Sequence, residues 1–191
     1  NKAVLKYAGK ASIEDLYELK NLLEQFKFEA HESHFILVRR AVEWEDQKIK
    51  ELFTLYVMNL GEDIEGMKAF HWACYLGKTE TVKIILESSQ KNDAIDLNAR
   101  DDHGMTAFHM ACCRDNPKTT KLFLDFSQES DTINLNARAN FGSTAILYAC
   151  NNGSWDTVKV LLDFSKENDA IDLTARDNSG KTAFHLACEN G

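Results

Sequence analysis

The sequence predicts an all-α solenoid of stacked helix-turn-helix units joined by extended turns, and three observations carry that reading. The first is recurrence. Gly66-Met-Lys-Ala-Phe-His-Trp-Ala-Cys74 returns as Gly104-Met-Thr-Ala-Phe-His-Met-Ala-Cys112, Gly142-Ser-Thr-Ala-Ile-Leu-Tyr-Ala-Cys150 and Gly180-Lys-Thr-Ala-Phe-His-Leu-Ala-Cys188, a period of 38 residues. The second is that two further blocks repeat in phase. One is Thr81-Val-Lys-Ile-Ile-Leu86, Thr119-Thr-Lys-Leu-Phe-Leu124 and Thr157-Val-Lys-Val-Leu-Leu162; the other is Asp96-Leu-Asn-Ala-Arg100, Asn134-Leu-Asn-Ala-Arg138 and Asp172-Leu-Thr-Ala-Arg176. The third is that apolar positions inside the first two kinds of block follow helical spacing. A fixed period of this length marks units that bury their apolar faces only on one another.

Each element follows from its residues. Thr106 is placed to act as N-cap of a first helix, in which Phe108, Ala111 and Cys112 share one face. Ala111 and Cys112 are small and let a neighbouring helix approach closely. In the second helix Val158, Leu161 and Leu162 share a face and Lys159 points away. Gly66, Gly104, Gly142 and Gly180 supply the positive φ of a tight turn. The array spans residues 61–191, with repeats starting near Asp63, Asp101, Ala139 and Asp177. The last repeat has a first helix only, so the natural protein is expected to continue.

Residues 1–60 predict N-terminal helices. Ser12-Ile-Glu-Asp15 begins one that runs to about Phe28, with Ile13, Leu16, Leu19, Leu23 and Phe26 as its stripe. Phe35 to Val42 and Ile49 to Val57 form a second pair, read as a degenerate capping repeat.

Composition narrows the function. The 191 residues carry 30 acidic and 22 basic side chains, a net charge of −8, which argues against a phosphate-binding surface and so against a nucleic-acid partner. No apolar run approaches the roughly 18 to 20 residues of a membrane span. Of the five cysteines, Cys74, Cys112, Cys150 and Cys188 recur with the repeat and Cys113 is extra. Equivalent positions in stacked repeats stand about 8–10 Å apart, beyond disulfide reach. These cysteines are therefore read as small buried residues in a reducing compartment, cytoplasmic or nuclear.

With these blocks in view, the chain resembles the ankyrin-repeat family over residues 61 to 191. The family pattern is Asp-x-x-Gly-x-Thr-Pro-Leu-His-x-Ala-Ala, a Gly turn, then a Val-x-x-Leu-Leu helix. Thr-Ala-Phe-His stands where the family has Thr-Pro-Leu-His, so the helix-starting proline is absent. The period is 38 rather than 33, with the extra residues expected at Ser88 to Ile95, Ser127 to Ile133 and Ser165 to Ile171. Asp115-Asn116-Pro117 replaces one inter-helix Gly turn, and Leu147 replaces one His.

The resemblance implies a non-enzymatic module that binds another protein on the concave face and turn tips of the stack. The alternative is the regulatory or targeting region of a larger enzyme or channel. Mapped residue by residue, the binding positions are Tyr75, Leu76, Arg100, His103, Met105, Arg114, Arg138, Asn140, Phe141, Asn151, Asn152 and Arg176. Aromatic, Met and Arg side chains are the usual interface anchors, which puts Tyr75, Met105, Arg114 and Phe141 first. Arg100 and Arg176 precede Asp101 and Asp177, whereas Arg138 precedes Ala139. Arg138 thus reads as the least compensated rung and, beside Phe141, as an anchor for an acidic segment.

No cofactor or metal site is expected. His71, His109 and His185 occur one per repeat and, by the resemblance, are structural; His31 and His34 lack a third ligand. Cys113 beside Arg114 is the candidate reactive thiol, against a chance surface position. Asn98 and Asn136 resemble asparagines that are hydroxylated in some members of the family.

Overall fold

The computed structural model describes residues 67–90 and 95–190. The expected N-terminal helices, the capping repeat, the His31–His34 pair and the turn at Gly66 lie outside the described residues. Seven helices follow in order: α1 (Ala69–Tyr75), α2 (Thr79–Ser89), α3 (Ala107–Cys113), α4 (Pro117–Glu129), α5 (Ala145–Asn151), α6 (Trp155–Glu167) and α7 (Ala183–Asn190). No strand occurs among the described residues. The first helices α1, α3, α5 and α7 pack side by side in one row, α2, α4 and α6 form a second row, and the two helices of each repeat pack on each other. The chain is the all-α solenoid its sequence predicts.

Close approach within the first row rests on small side chains. Ala73, Ala111 and Ala149, with Cys74, Cys112 and Cys150, are buried, while Cys188 on α7 is exposed, contrary to expectation. Between the rows the largest fully buried side chain is Phe123 of α4. Its ring lies 5.6 Å from Phe70 of repeat 1 and 5.4 Å from Phe108 of its own repeat, so one side chain fills the space where two repeats meet.

The extra residues of the long period do not all lengthen the connection. The second helices continue into them, α4 to Glu129 and α6 to Glu167. Ser89 and Ser127 support this last turn by donating their hydroxyls to the carbonyls of Leu86 and Leu124, both at 2.7 Å.

The turns are where glycine is required. Gly104, Gly142 and Gly180 have φ of +72°, +76° and +83°, and each closes a hairpin by donating to the carbonyl three residues back. A Cβ on Gly142 would stand 2.2 Å from the Asn178 side chain. Between helices, Gly77 and Gly153 are also left-handed, and Asp115 holds the same place in repeat 2 at φ +51°. Asp tolerates that region better than most residues. Here its carboxylate also accepts the Thr157 amide of the next repeat at 3.0 Å.

The histidines join one repeat to the next. Thr106 donates its amide to His109 Nδ1 at 3.1 Å, and its hydroxyl lies 2.9 Å from the same nitrogen. His109 Nε2 then donates to the Ser143 carbonyl in the following hairpin. His71 does the same, with Nδ1 accepting from Lys68 and Nε2 facing the Ala99 and Met105 carbonyls, both at 3.1 Å. Repeat 3 has Leu147 instead. It is buried, and Thr144, whose equivalents Thr106 and Thr182 contact a histidine, has a buried hydroxyl with no hydrogen-bond partner.

A second set of ties runs through asparagine amides. Asn98 donates to the Thr132 carbonyl and accepts the Asn134 amide, and Asn136 repeats this with Ala170 and Asp172. Both side chains thus bridge two backbones, which gives these asparagines a structural role.

Two predictions follow from the ties. Thr144→Val removes only an orphaned hydroxyl, so stability is expected to stay level or rise. Thr106→Val, which strips a partner from His109, is expected to cost about 1 kcal/mol; urea denaturation of the pair reads the contrast, and equal losses would contradict it. The second concerns acid. Burial lowers the His109 pKa to about 4 and also lowers that of His71, so the unfolded chain takes up protons first as pH falls from about 6.5. Stability is therefore full above that pH and is lost between about 6.5 and 4, by about 3 kcal/mol from His109. Unfolding midpoints at pH 7 and 4.5 should differ less in His109→Gln than in the parent.

Candidate protein-binding face

The hairpins and the exposed side of the first-helix row place the expected binding residues on related positions of successive repeats. Tyr75 and Leu76 end α1, Arg114 follows α3, and Asn151 and Asn152 close α5. His103, Asn140 and Phe141 sit on the hairpin tips, with Arg100, Arg138 and Arg176 at the hairpin bases.

The structure brings Tyr75 and Arg114 together. The Arg114 guanidinium lies 4.5 Å from the centre of the Tyr75 ring, whose other neighbour is Trp72 in an edge-on contact at 5.6 Å. Trp72 was not singled out by the sequence, although it occupies the same register as Met110, Tyr148 and Leu186. Tyr148 packs edge-on against the His109 ring at 5.8 Å, and burial is the largest cause of its raised pKa. This position is large in every repeat and different in every repeat, which was the signal available.

Several expected binding residues also hold the fold. Met105 packs against the core, and its amide and carbonyl bond Asp101 and His71. The Asn140 side chain donates to the Asp102 carbonyl, and its backbone amide to the His103 carbonyl. Asn152 donates to the Cys113 carbonyl, while Asn151 reaches only Asn152. Leu76 is half-buried and caps α1. Phe141 differs from all of these. Its carbonyl accepts the Asn178 amide, but the residue is 69% exposed, a large apolar side chain at a tip where the fold asks nothing of it.

The arginines carry a correction. Asp101 and Asp177 do not pair with Arg100 and Arg176: each carboxylate turns inward to accept the amides of its own hairpin, at His103 and Met105 or at Ser179 and Lys181. Arg138 is therefore no less compensated than the other two. Each guanidinium instead meets carbonyl groups. Arg100 bonds those of Gly104 and Arg138, Arg138 that of Arg176, and Arg176 that of Gly180. All three stay exposed, and a carbonyl leaves their charge intact. By contrast, Lys83, Lys121 and Lys166 on the second-helix row are paired with Glu87, Asp125 and Asp163.

Cys113 is not an activated thiol. It is half-buried and donates to the Met110 carbonyl, and burial raises its pKa to about 11 against the smaller opposing effect of Arg114. Among the described residues no group of three His, Cys, Asp or Glu side chains is placed to hold a metal ion, and no helix is long and apolar enough to cross a membrane.

The family model for ankyrin repeats, in three copies, matches residues 38–134 and 127–191. No curated protein matches the chain.

The Tyr75–Arg114 contact is expected to show a coupling of about 0.5–1 kcal/mol. A double-mutant cycle of Tyr75→Leu and Arg114→Ala in thermal or urea unfolding measures it, and strictly additive losses would mean the stacking is not energetically significant.

Proposed function

The chain belongs to the ankyrin-repeat family, and from that premise we propose that it is a non-enzymatic interaction module, a scaffold or adaptor, that binds a partner protein on the hairpin tips and the exposed side of its first helices. Ankyrin repeats are in general protein–protein interaction modules. The observation that carries the finer reading is Phe141. An aromatic residue 69% exposed on a hairpin tip is costly to leave in water, and it is the kind of side chain that anchors an interface. The Trp72–Tyr75–Arg114 cluster gives a second anchor of pre-oriented groups, which lowers the entropy cost of binding.

All five cysteines are unpaired, which fits a reducing compartment, cytoplasmic or nuclear.

Selection of a displayed library of protein fragments against the 191-residue chain tests the proposal. Binders are expected to lose at least tenfold in affinity for Phe141→Ala or Tyr75→Ala and to keep it for Lys121→Ala on the opposite row. Binders indifferent to the first two and sensitive to the third would place binding elsewhere.

A further inference from the structure

The geometry points to a specific occupant for the arginine column: an acidic segment of a partner protein, in polyproline-II conformation, with a carboxylate at every third residue. This inference rests on the reading of the hairpin side as the protein-binding face.

Three observations support it. First, Arg100, Arg138 and Arg176 are exposed, and none has an ion-pair partner among the described residues, although the chain carries a net charge of −8. Lys83, Lys121 and Lys166 of the second-helix row are paired within their own helices, whereas the three arginines meet only backbone carbonyls.

Second, these guanidiniums are already oriented. Each is held by one or two backbone carbonyls, and two of them reach across to the next rung. With five N–H donors each, they retain donors for the paired contact a carboxylate makes. Holding the side chain in advance removes part of the ordering cost of binding.

Third, the spacing selects a backbone. The rungs are equivalent positions of successive repeats, so they are separated by the repeat rise, about 8–10 Å from helix packing. A polyproline-II chain advances about 3.1 Å per residue and turns once every three residues, so residues i, i+3 and i+6 lie on one side about 9.3 Å apart. A β-strand puts i and i+3 on opposite sides, and an α-helix reaches about 10 Å only at every seventh residue.

Three fluorescent probes test this on the 191-residue chain. One is a nine-residue Pro/Ala/Ser peptide with Asp at positions 2, 5 and 8. The second is its isomer with Asp at 4, 5 and 6, and the third a helical peptide with Asp at every seventh residue. The first is expected to bind at least fivefold more tightly than either of the others, with affinity falling as salt rises. Arg138→Gln should lower that affinity at least threefold, while Arg138→Lys, which keeps the charge but not the paired donors, should recover only part of it even if the altered tie lowers the melting temperature. Because Arg138 also holds Arg176, a charge swap separates charge from folding: Arg138→Glu should bind the peptide carrying Arg at position 5 better than the parent peptide. Equal binding of the isomers, preference for the helical probe, or no binding at all would overturn the inference. If library binders map to Phe141 and Tyr75 but carry no acidic triplet spacing, this inference falls and the module reading stands. If they map to the second-helix row, both fall.

Discussion

A neutral imidazole shared between two repeats is the contact on which most of this stack depends. His71 and His109 each accept a backbone amide at Nδ1, which fixes the hydrogen on Nε2 and aims it at the next hairpin. One side chain thereby caps its own helix and sets the position of the following repeat. The arrangement tolerates only the neutral form, because a proton on Nδ1 would face an amide N–H. Burial depresses both pKa values and keeps the ring in that state.

Repeat 3 shows what happens when that contact is missing. Leu147 fills the same volume with apolar contact but leaves Thr144 without a partner. The joint to repeat 4 is held instead by Asn136, Arg138 and the Asn178 amide. Because several weak ties act in parallel at every joint, one can be lost without the register being lost, as expected for nearest-neighbour stacking. The same redundancy frees individual positions for recognition. Phe141 can carry an aromatic ring because its hairpin is fixed by Gly142 and by backbone bonds to its neighbours.

Charged side chains find different kinds of partner on the two sides of the stack. On the second helices Lys83, Lys121 and Lys166 pair locally with acids four or three residues away, exposed contacts that add little to stability. On the hairpins the available carboxylates are drawn into the turns by backbone amides. The arginines beside them therefore bond backbone carbonyls rather than those carboxylates and stay exposed.

The sequence by itself determined the all-α repeat fold, the positions of the turns and the small residues between first helices, because a strict period and helical spacing leave one way to bury the apolar faces. It also placed the exposed Phe141 correctly, since a hairpin tip is solvent-facing whatever it carries. Only the tertiary structure decided the partners of side chains that reach across a joint. Adjacency in sequence paired Arg100 with Asp101, but the carboxylate turned to its own hairpin and the guanidinium to a residue 38 positions away. The same holds for Asn98, Asn136 and Asn140, whose amides bond the neighbouring repeat, for Arg114, which lies over Tyr75 of the preceding one, and for Cys113, whose burial outweighs the adjacent cation. Local spacing encodes which face a residue takes; what it meets there is set by the next repeat, and that contact exists only once the units have stacked.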